Sequence, residues 1–156
     1  MILNPAMHTG AKQIVQRCLG LIKGQNLLIF ADKTTMELAA IIAEASDVLG
    51  VQSTIIFVPV SLQRKIPGES DLSHLAQAAA KEARAILTCV NSSPECLPFR
   101  ERILETQWSA RTRIGHMPGA NLDVLQLANV DFKELVDECH KLEIALARGR
   151  TMDLRS

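Results

Sequence analysis

Short, almost continuous apolar runs alternate along the chain with stretches in which apolar residues recur every three or four positions. The runs at 26–31, 53–58 and 85–90 are bounded by turn residues, a pattern typical of strands buried on both faces of a sheet. The stretch 112–116, which is not an apolar run, is predicted as a fourth and shorter strand. The periodic stretches predict helices at 6–22, 71–83, 99–106 and 131–148. Two further helices are predicted, one from the capping residues Thr34 and Thr35 to Gly50 and a short one from Asn121.

Strands that alternate with helices pair in parallel through crossover connections. The sequence therefore predicts a three-layer, doubly wound α/β fold, in which a mostly parallel sheet carries helices on both faces. The run at 26–31 is the most apolar, so we place it inside the sheet and expect the strand order 2-1-3-4. We interpret 1–148 as a single domain and 149–156 as a tail. The buried centre of the sheet is predicted to contain Leu28, Ile29, Ile55, Ile56, Ile86 and Leu87.

Composition narrows the classes of partner. Lys and Arg together number 17, as do Asp and Glu, so the formal net charge is zero. A neutral chain has no overall positive potential to attract nucleic acid or an anionic membrane. Aromatic residues make up only 3%, too few for base-stacking surfaces. The chain shows no signal peptide, no long apolar span and no CxxC pair. We therefore expect a reduced cytoplasmic protein that binds neither nucleic acid nor membrane, with its four cysteines mostly in the core.

Polar residues follow the first and third predicted strands. In an open parallel sheet, the ligand crevice lies beyond the carboxyl ends of the strands where the winding reverses. The candidate binding residues at this point are Asp32, Lys33, Thr34, Thr35, Asn91 and Ser92. The free amides of the helix after Thr35 would suit an anion or a carboxylate. The plainer interpretation is that Asp32 and the threonines only cap and turn the chain, since the glycine-rich nucleotide fingerprint is absent.

No arrangement of residues indicates a catalytic or metal site. The four histidines are widely separated, and the consecutive Glu138, Cys139 and His140 would point in different directions from a helix. Cys89 or Cys96 could serve as a nucleophile only beside a histidine, and the sequence pairs neither with one. We therefore predict no catalytic residue, no cofactor and no bound metal.

Several segments, taken in order, resemble the M29-type metallo-aminopeptidases. They are the stretch 18–29 (CLGLIKGQNLLI), Asp32 with 34–39 (TTMELA), 113–119 (RIGHMPG) with its Met-Pro-Gly turn, and 130–135 (VDFKEL) at the start of a helix. The resemblance covers nearly the whole chain. Two other groups share the same architecture: non-catalytic peptide-binding proteins, and iron dioxygenases that cleave dihydroxypyridines. It implies that this region is the N-terminal α/β domain and that the metal ligands belong to a second domain, which would begin near Ser156.

The resemblance therefore transfers no catalytic residue to this chain. It implies a non-catalytic binding or assembly module for a peptide or protein partner. The alternative is a subunit or fragment of a metal-dependent aminopeptidase whose metal site lies in a missing second domain. A third interpretation is a small independent enzyme that uses the crevice at Asp32 and Asn91.

In the proteins that this chain resembles, a second domain covers one face of the N-terminal domain. The resemblance therefore implies that the same face of this chain is covered by self-association or by a protein partner. We expect that surface to comprise the segments 61–70, 91–98 and 108–118. Trp108 and Arg113 are its candidate anchors, because Trp and Arg are enriched in interface hot spots. The alternative for Trp108 is simple burial beside the fourth strand.

Overall fold

Residues 4–59, 74–90, 92–107 and 112–149 are described by a computed structural model of the chain. In chain order they form α1 (Pro5–Gln13), a π-helical turn (Ile14–Cys18), β1 (Asn26–Ala31), α2 (Met36–Val48), β2 (Gln52–Phe57), α3 (His74–Glu82), β3 (Ala85–Thr88), a 3₁₀ turn (Pro94–Cys96), α4 (Leu97–Gln107), β4 (Arg113–His116), α5 (Asp123–Leu127) and α6 (Phe132–Arg148). The four predicted strands are all present, each within two residues of its expected bounds.

The sheet has the order β2-β1-β3-β4, and every neighbouring pair is parallel. Ile29 at the centre of β1 lies in register with Ile55 on one side and Leu87 on the other. The most apolar run therefore lies inside the sheet, as predicted, because only an inner strand is covered by neighbours along both edges.

Alternate residues of β1 face two separate apolar layers. Leu27, Ile29 and Ala31 pack in the cluster with α1, the π-helical turn and α2. Leu28 and Phe30 face the other side, where α3 and α4 lie. The rings of Phe30 and Phe99 meet edge to face with centroids 6.4 Å apart. Helices cover both faces of the sheet, which confirms the three-layer α/β fold.

The predicted sheet centre is right for four residues and wrong for two. Leu28, Ile29, Ile86 and Leu87 are at most 3% exposed. Ile55 and Ile56 are only half-buried, because β2 is an edge strand. An edge strand has a neighbour on one side only, so apolar β-branched residues there pack against the core without being enclosed by it.

The first predicted helix is interrupted. Asn4 caps α1 by accepting a hydrogen bond from the amide of Ala6 at 3.0 Å. After Gln13 the helix widens into the π-helical turn, in which the Leu19 amide reaches back to the Ile14 carbonyl at 2.9 Å. Ile22, the last residue of the predicted helix, is 67% exposed because the helix has already ended.

The last helix begins and ends as predicted. The Asp131 carboxylate accepts hydrogen bonds from the amides of Lys133 at 2.8 Å and Glu134 at 3.3 Å, which satisfies the free donors at the start of α6. α6 contains no buried residue, and no helix or strand of the described ranges packs extensively against it. Among the described helices, none combines the length and the apolar character needed to cross a membrane.

Candidate functional site

The turn after β1 is built around a buried carboxylate. Asp32 is fully buried, and its Oδ1 accepts hydrogen bonds from the Thr34 amide at 2.9 Å, the Thr34 hydroxyl at 2.6 Å and the Thr35 hydroxyl at 3.4 Å. The Thr35 hydroxyl in turn accepts a bond from the Asp32 amide at 3.1 Å. Oδ1 of Asp32 therefore holds the turn that starts α2, and this geometry favours the plainer of the two interpretations of the motif.

The capping role predicted for Thr34 or Thr35 is wrong in its detail. Thr35 occupies the N-cap position of α2, but its side chain makes no capping bond to that helix. Its hydroxyl is turned back to Asp32 instead. Lys33 and Thr34 are exposed on the outside of the turn, so they are accessible from solvent at the carboxyl edge of the sheet.

Adjacent strand ends bring β1 and β3 together at this edge. The Cys89 amide donates to the Phe30 carbonyl at 2.8 Å, and Cys89 is fully buried. Ser92 lies against the turn after β4, since a Cβ built on Gly119 would be 2.7 Å from Ser92 Oγ. Gly119 has a φ of 65°, a conformation that glycine adopts without strain.

Of the remaining predicted residues, only Arg113 can be located, and it does not join this edge. Asn91 and Trp108 lie outside the described residues, as does the segment 61–70. Arg113 begins β4 and therefore lies at the amino end of the sheet, opposite Asp32. Its guanidinium donates to the carbonyls of Leu19, at 3.0 Å, and Gly20, and so ties β4 to the end of the π-helical turn.

A polar cluster that sequence patterns did not indicate contains Thr88 of β3, His116 of β4 and Arg100 of α4. Thr88 and His116 are in register, and the Thr88 hydroxyl is hydrogen-bonded to Nδ1 of His116. Burial, and then the positive charge of Arg100, lower the pKa of His116. Nε of Arg100 is buried without a hydrogen-bond partner in the described parts of the chain. The three residues come from separate elements, so no local spacing could have revealed them.

Among the described residues, no group of three His, Cys, Asp or Glu side chains lies close enough to hold a metal ion.

Two of the four cysteines are buried and two are exposed. Cys89 and Cys96 are buried, whereas Cys18 and Cys139 are exposed, so the prediction that most are core residues holds for only two of the four.

Burial, followed by the nearby Asp32 carboxylate, raises the pKa of the Cys89 thiol to about 12. In the unfolded chain this thiol has its ordinary pKa of about 9.0. Between these two values the unfolded state binds fewer protons than the folded state, so we expect the free energy of unfolding to fall as pH rises from 9 towards 12. Urea denaturation at a series of pH values measures this slope.

Two alanine variants isolate the contribution of Cys89 from that of other groups that titrate in the same range. Cys89→Ala should flatten the alkaline slope, whereas Cys139→Ala, at an exposed thiol, should leave it unchanged. At pH 8 an alkylating reagent should also modify Cys139 well before Cys89. Equal slopes in the wild type and in Cys89→Ala would contradict the raised pKa.

A second candidate surface is the apolar face of α6. Its residues recur at alternating intervals of three and four positions, and we call them the α6 stripe: Phe132, Leu135, Cys139, Leu142 and Leu146. The three leucines are 47%, 60% and 49% exposed in chain order. The polar face carries charges of both signs, including an ion pair between Glu138 and Lys141. The sequence predicted this helix, but the interface was expected in other segments.

The start of α6 borders a surface groove of about 360 Å³. Arg17 of the π-helical turn lines it on one side, and Phe132, Lys133, Val136 and Asp137 line it on the other. The first turn of α6 therefore lies beside the rest of the domain, whereas the later residues of the stripe are exposed to solvent.

Comparisons with known proteins assign no family. No protein-family model matches the chain, and no curated protein matches it. Among solved structures, wild-type AmpT from Thermus thermophilus is similar with a TM-score of 0.49 and 17% sequence identity. The match covers 74% of this chain and 36% of AmpT, so this chain spans little more than a third of that protein. A similarity at this level does not assign a function.

Proposed function

We propose that this chain is a non-catalytic assembly module that docks onto another protein through the α6 stripe. The exposure of the stripe is the observation that carries the proposal: three leucines on one face of a 17-residue helix are about half in water. Removing apolar surface from water stabilises a complex by roughly 25 cal/mol per Å². Contiguous apolar patches on soluble proteins commonly mark interaction sites.

The groups at the carboxyl edge of the sheet support a structural role for that edge. Oδ1 of Asp32 is occupied by the turn before α2. The buried Cys89 thiol, with a pKa of about 12, stays protonated at neutral pH and is therefore a poor nucleophile. The Asp32 carboxylate and the Cys89 thiol are therefore better suited to stabilising the ends of β1 and β3 than to catalysis.

A second candidate partner is a domain or chain that carries a metal site. The motif at 130–135, which resembles the metallo-aminopeptidases, forms the N-cap and first turn of α6. In this alternative the module would be a subunit or fragment of a metal-dependent aminopeptidase, and the domain with the metal ligands would cover the stripe. Both candidates require α6 to dock, and they differ in the protein that it contacts.

Site-specific photo-crosslinking in the native host tests the docking role. A photoreactive residue at Leu142, within the stripe, should form one adduct of defined mass. The same residue at Lys141, which is 71% exposed beside it on the polar face, should form little or none. Leu135→Glu should abolish the adduct at Leu142 by placing a charge within the interface. Equal yields at the two positions, or no adduct at Leu142, would contradict a docking role for α6.

A further inference from the structure

We infer that the protein docked on the α6 stripe is a second copy of this chain, with the two α6 helices packed antiparallel. This inference rests on the proposed docking role and names the partner. It follows from the spacing of the stripe, from the charges that flank it and from the neutrality of the whole chain.

The spacing of the stripe is suited to another helix. Residues that alternate at intervals of three and four repeat every 3.5 residues, which keeps them facing a partner helix in a left-handed pair. In heptad terms Phe132, Cys139 and Leu146 occupy a positions, and Leu135 and Leu142 occupy d positions. Val136, 61% exposed at an e position, widens the apolar face on one side of this seam.

The charges beside the stripe select the orientation. Glu138 occupies a g position and Glu143 an e position. In a parallel pair, g residues meet the e residues of the partner, which would place Glu138 of each copy against Glu143 of the other. In an antiparallel pair, e meets e and g meets g, so Glu143 meets Val136 and Glu138 meets Ala145. Antiparallel packing therefore avoids two repulsive contacts.

The distribution of charge along α6 is compatible with the same orientation. The first half of the helix is mostly acidic: it contains Glu134, Asp137 and Glu138 and one basic residue, Lys133. The second half is mostly basic: it contains Lys141 and Arg148 and one acidic residue, Glu143. An antiparallel copy places the acidic half of each helix beside the basic half of the other. The same distribution also complements the helix dipole, so it supports the orientation without determining it. The zero net charge adds no long-range repulsion between copies.

The size of this interface sets its strength. A helix of 17 residues is about 25 Å long and contains little more than two heptads. A surface one helix wide lies at the small end of specific interfaces. We therefore expect a reversible dimer that dissociates on dilution.

Sedimentation velocity of the purified chain over a concentration series measures the association. Leu142→Glu places a carboxylate in the stripe and should leave a monomer at every concentration. Ile144→Glu makes the same kind of change at an f position, 42% exposed and away from the seam, and should still dimerise. Circular dichroism establishes that both variants stay folded. A wild-type monomer throughout, or equal dimerisation of the two variants, would overturn the inference.

A spin label at Arg148→Cys reports the orientation, with Cys18→Ser and Cys139→Val removing the exposed thiols while an apolar residue of similar size stays in the seam. If Leu135 packs opposite Leu146 of the second copy, the two labels lie roughly 20 Å apart along the helix axis. A parallel pair would bring the labels side by side, and a single short distance would overturn the antiparallel assignment. A monomeric chain that still forms a Leu142 adduct with a different protein would overturn the second copy as partner and leave the docking role intact.

Discussion

Replacing Ile29 with alanine is expected to lower the free energy of unfolding by about 2–5 kcal/mol, the range measured when large side chains are removed from cores. Ile29 is fully buried at the middle of β1, between Ile55 of β2 and Leu87 of β3. Strands flank Ile29 on both sides and helices pack over its side chain. The surrounding residues therefore have little freedom to fill the cavity that the substitution leaves. Urea denaturation at pH 7 measures the change.

Ile55→Ala is the matched control, because Ile55 lies directly across from Ile29 in the parallel register. It deletes the same atoms from a half-buried position on an edge strand, so its cost should be clearly smaller. A loss below about 1 kcal/mol for Ile29→Ala, or an equal loss at the two positions, would show that β1 is not the central strand.

Replacing Gly10 with alanine is expected to destabilise the protein, against the ordinary preference of helices. In the interior of an exposed helix this substitution stabilises by about 1 kcal/mol. Gly10 is buried where α1 crosses α5, and a Cβ there would lie 1.7 Å from the backbone oxygen of Leu125. Backbone atoms cannot move aside by changing rotamer, so the two helices must separate. We expect a net loss of about 1–3 kcal/mol, the usual cost of overpacking.

Thr9→Ala provides the control for this change. Thr9 precedes Gly10 on α1, is exposed, and donates its hydroxyl to the Pro5 carbonyl at 3.1 Å. Its replacement should alter the free energy of unfolding by no more than about 0.5 kcal/mol. Thermal and urea denaturation of both variants give the comparison, and a stabilised Gly10→Ala protein would mean that α1 and α5 do not pack as described.

The candidate site was only partly predictable from sequence. Asp32, Lys33, Thr34 and Thr35 lie at the carboxyl edge of the sheet as expected, because they directly follow a strand whose direction the pattern indicates. Arg113 was expected to anchor an interface near 108–118, yet its guanidinium binds the Leu19 and Gly20 carbonyls at the amino end. That contact joins residues more than ninety positions apart, and no local pattern encodes it.

Local patterns alone predicted most of the helices and strands of this protein. Continuous apolar runs marked the first three strands, three-to-four spacing marked the helices, and the Asp131 cap marked the start of α6. These features depend on residues within a few positions of one another, which is why the sequence by itself revealed them. The order β2-β1-β3-β4 also followed, because the most apolar strand gains most from an inner position.

Only the tertiary structure decided which of these apolar faces are covered. Ile55 and Leu142 both lie in correctly predicted elements, yet one is half-buried on an edge strand and the other is 60% exposed. The close approach of Gly10 to α5 and the influence of the Arg100 charge on the pKa of His116 likewise depend on how separate elements pack. Burial is a property of distant neighbours: periodicity shows which face of a helix is apolar, and only the packed elements determine whether that face is open to another protein.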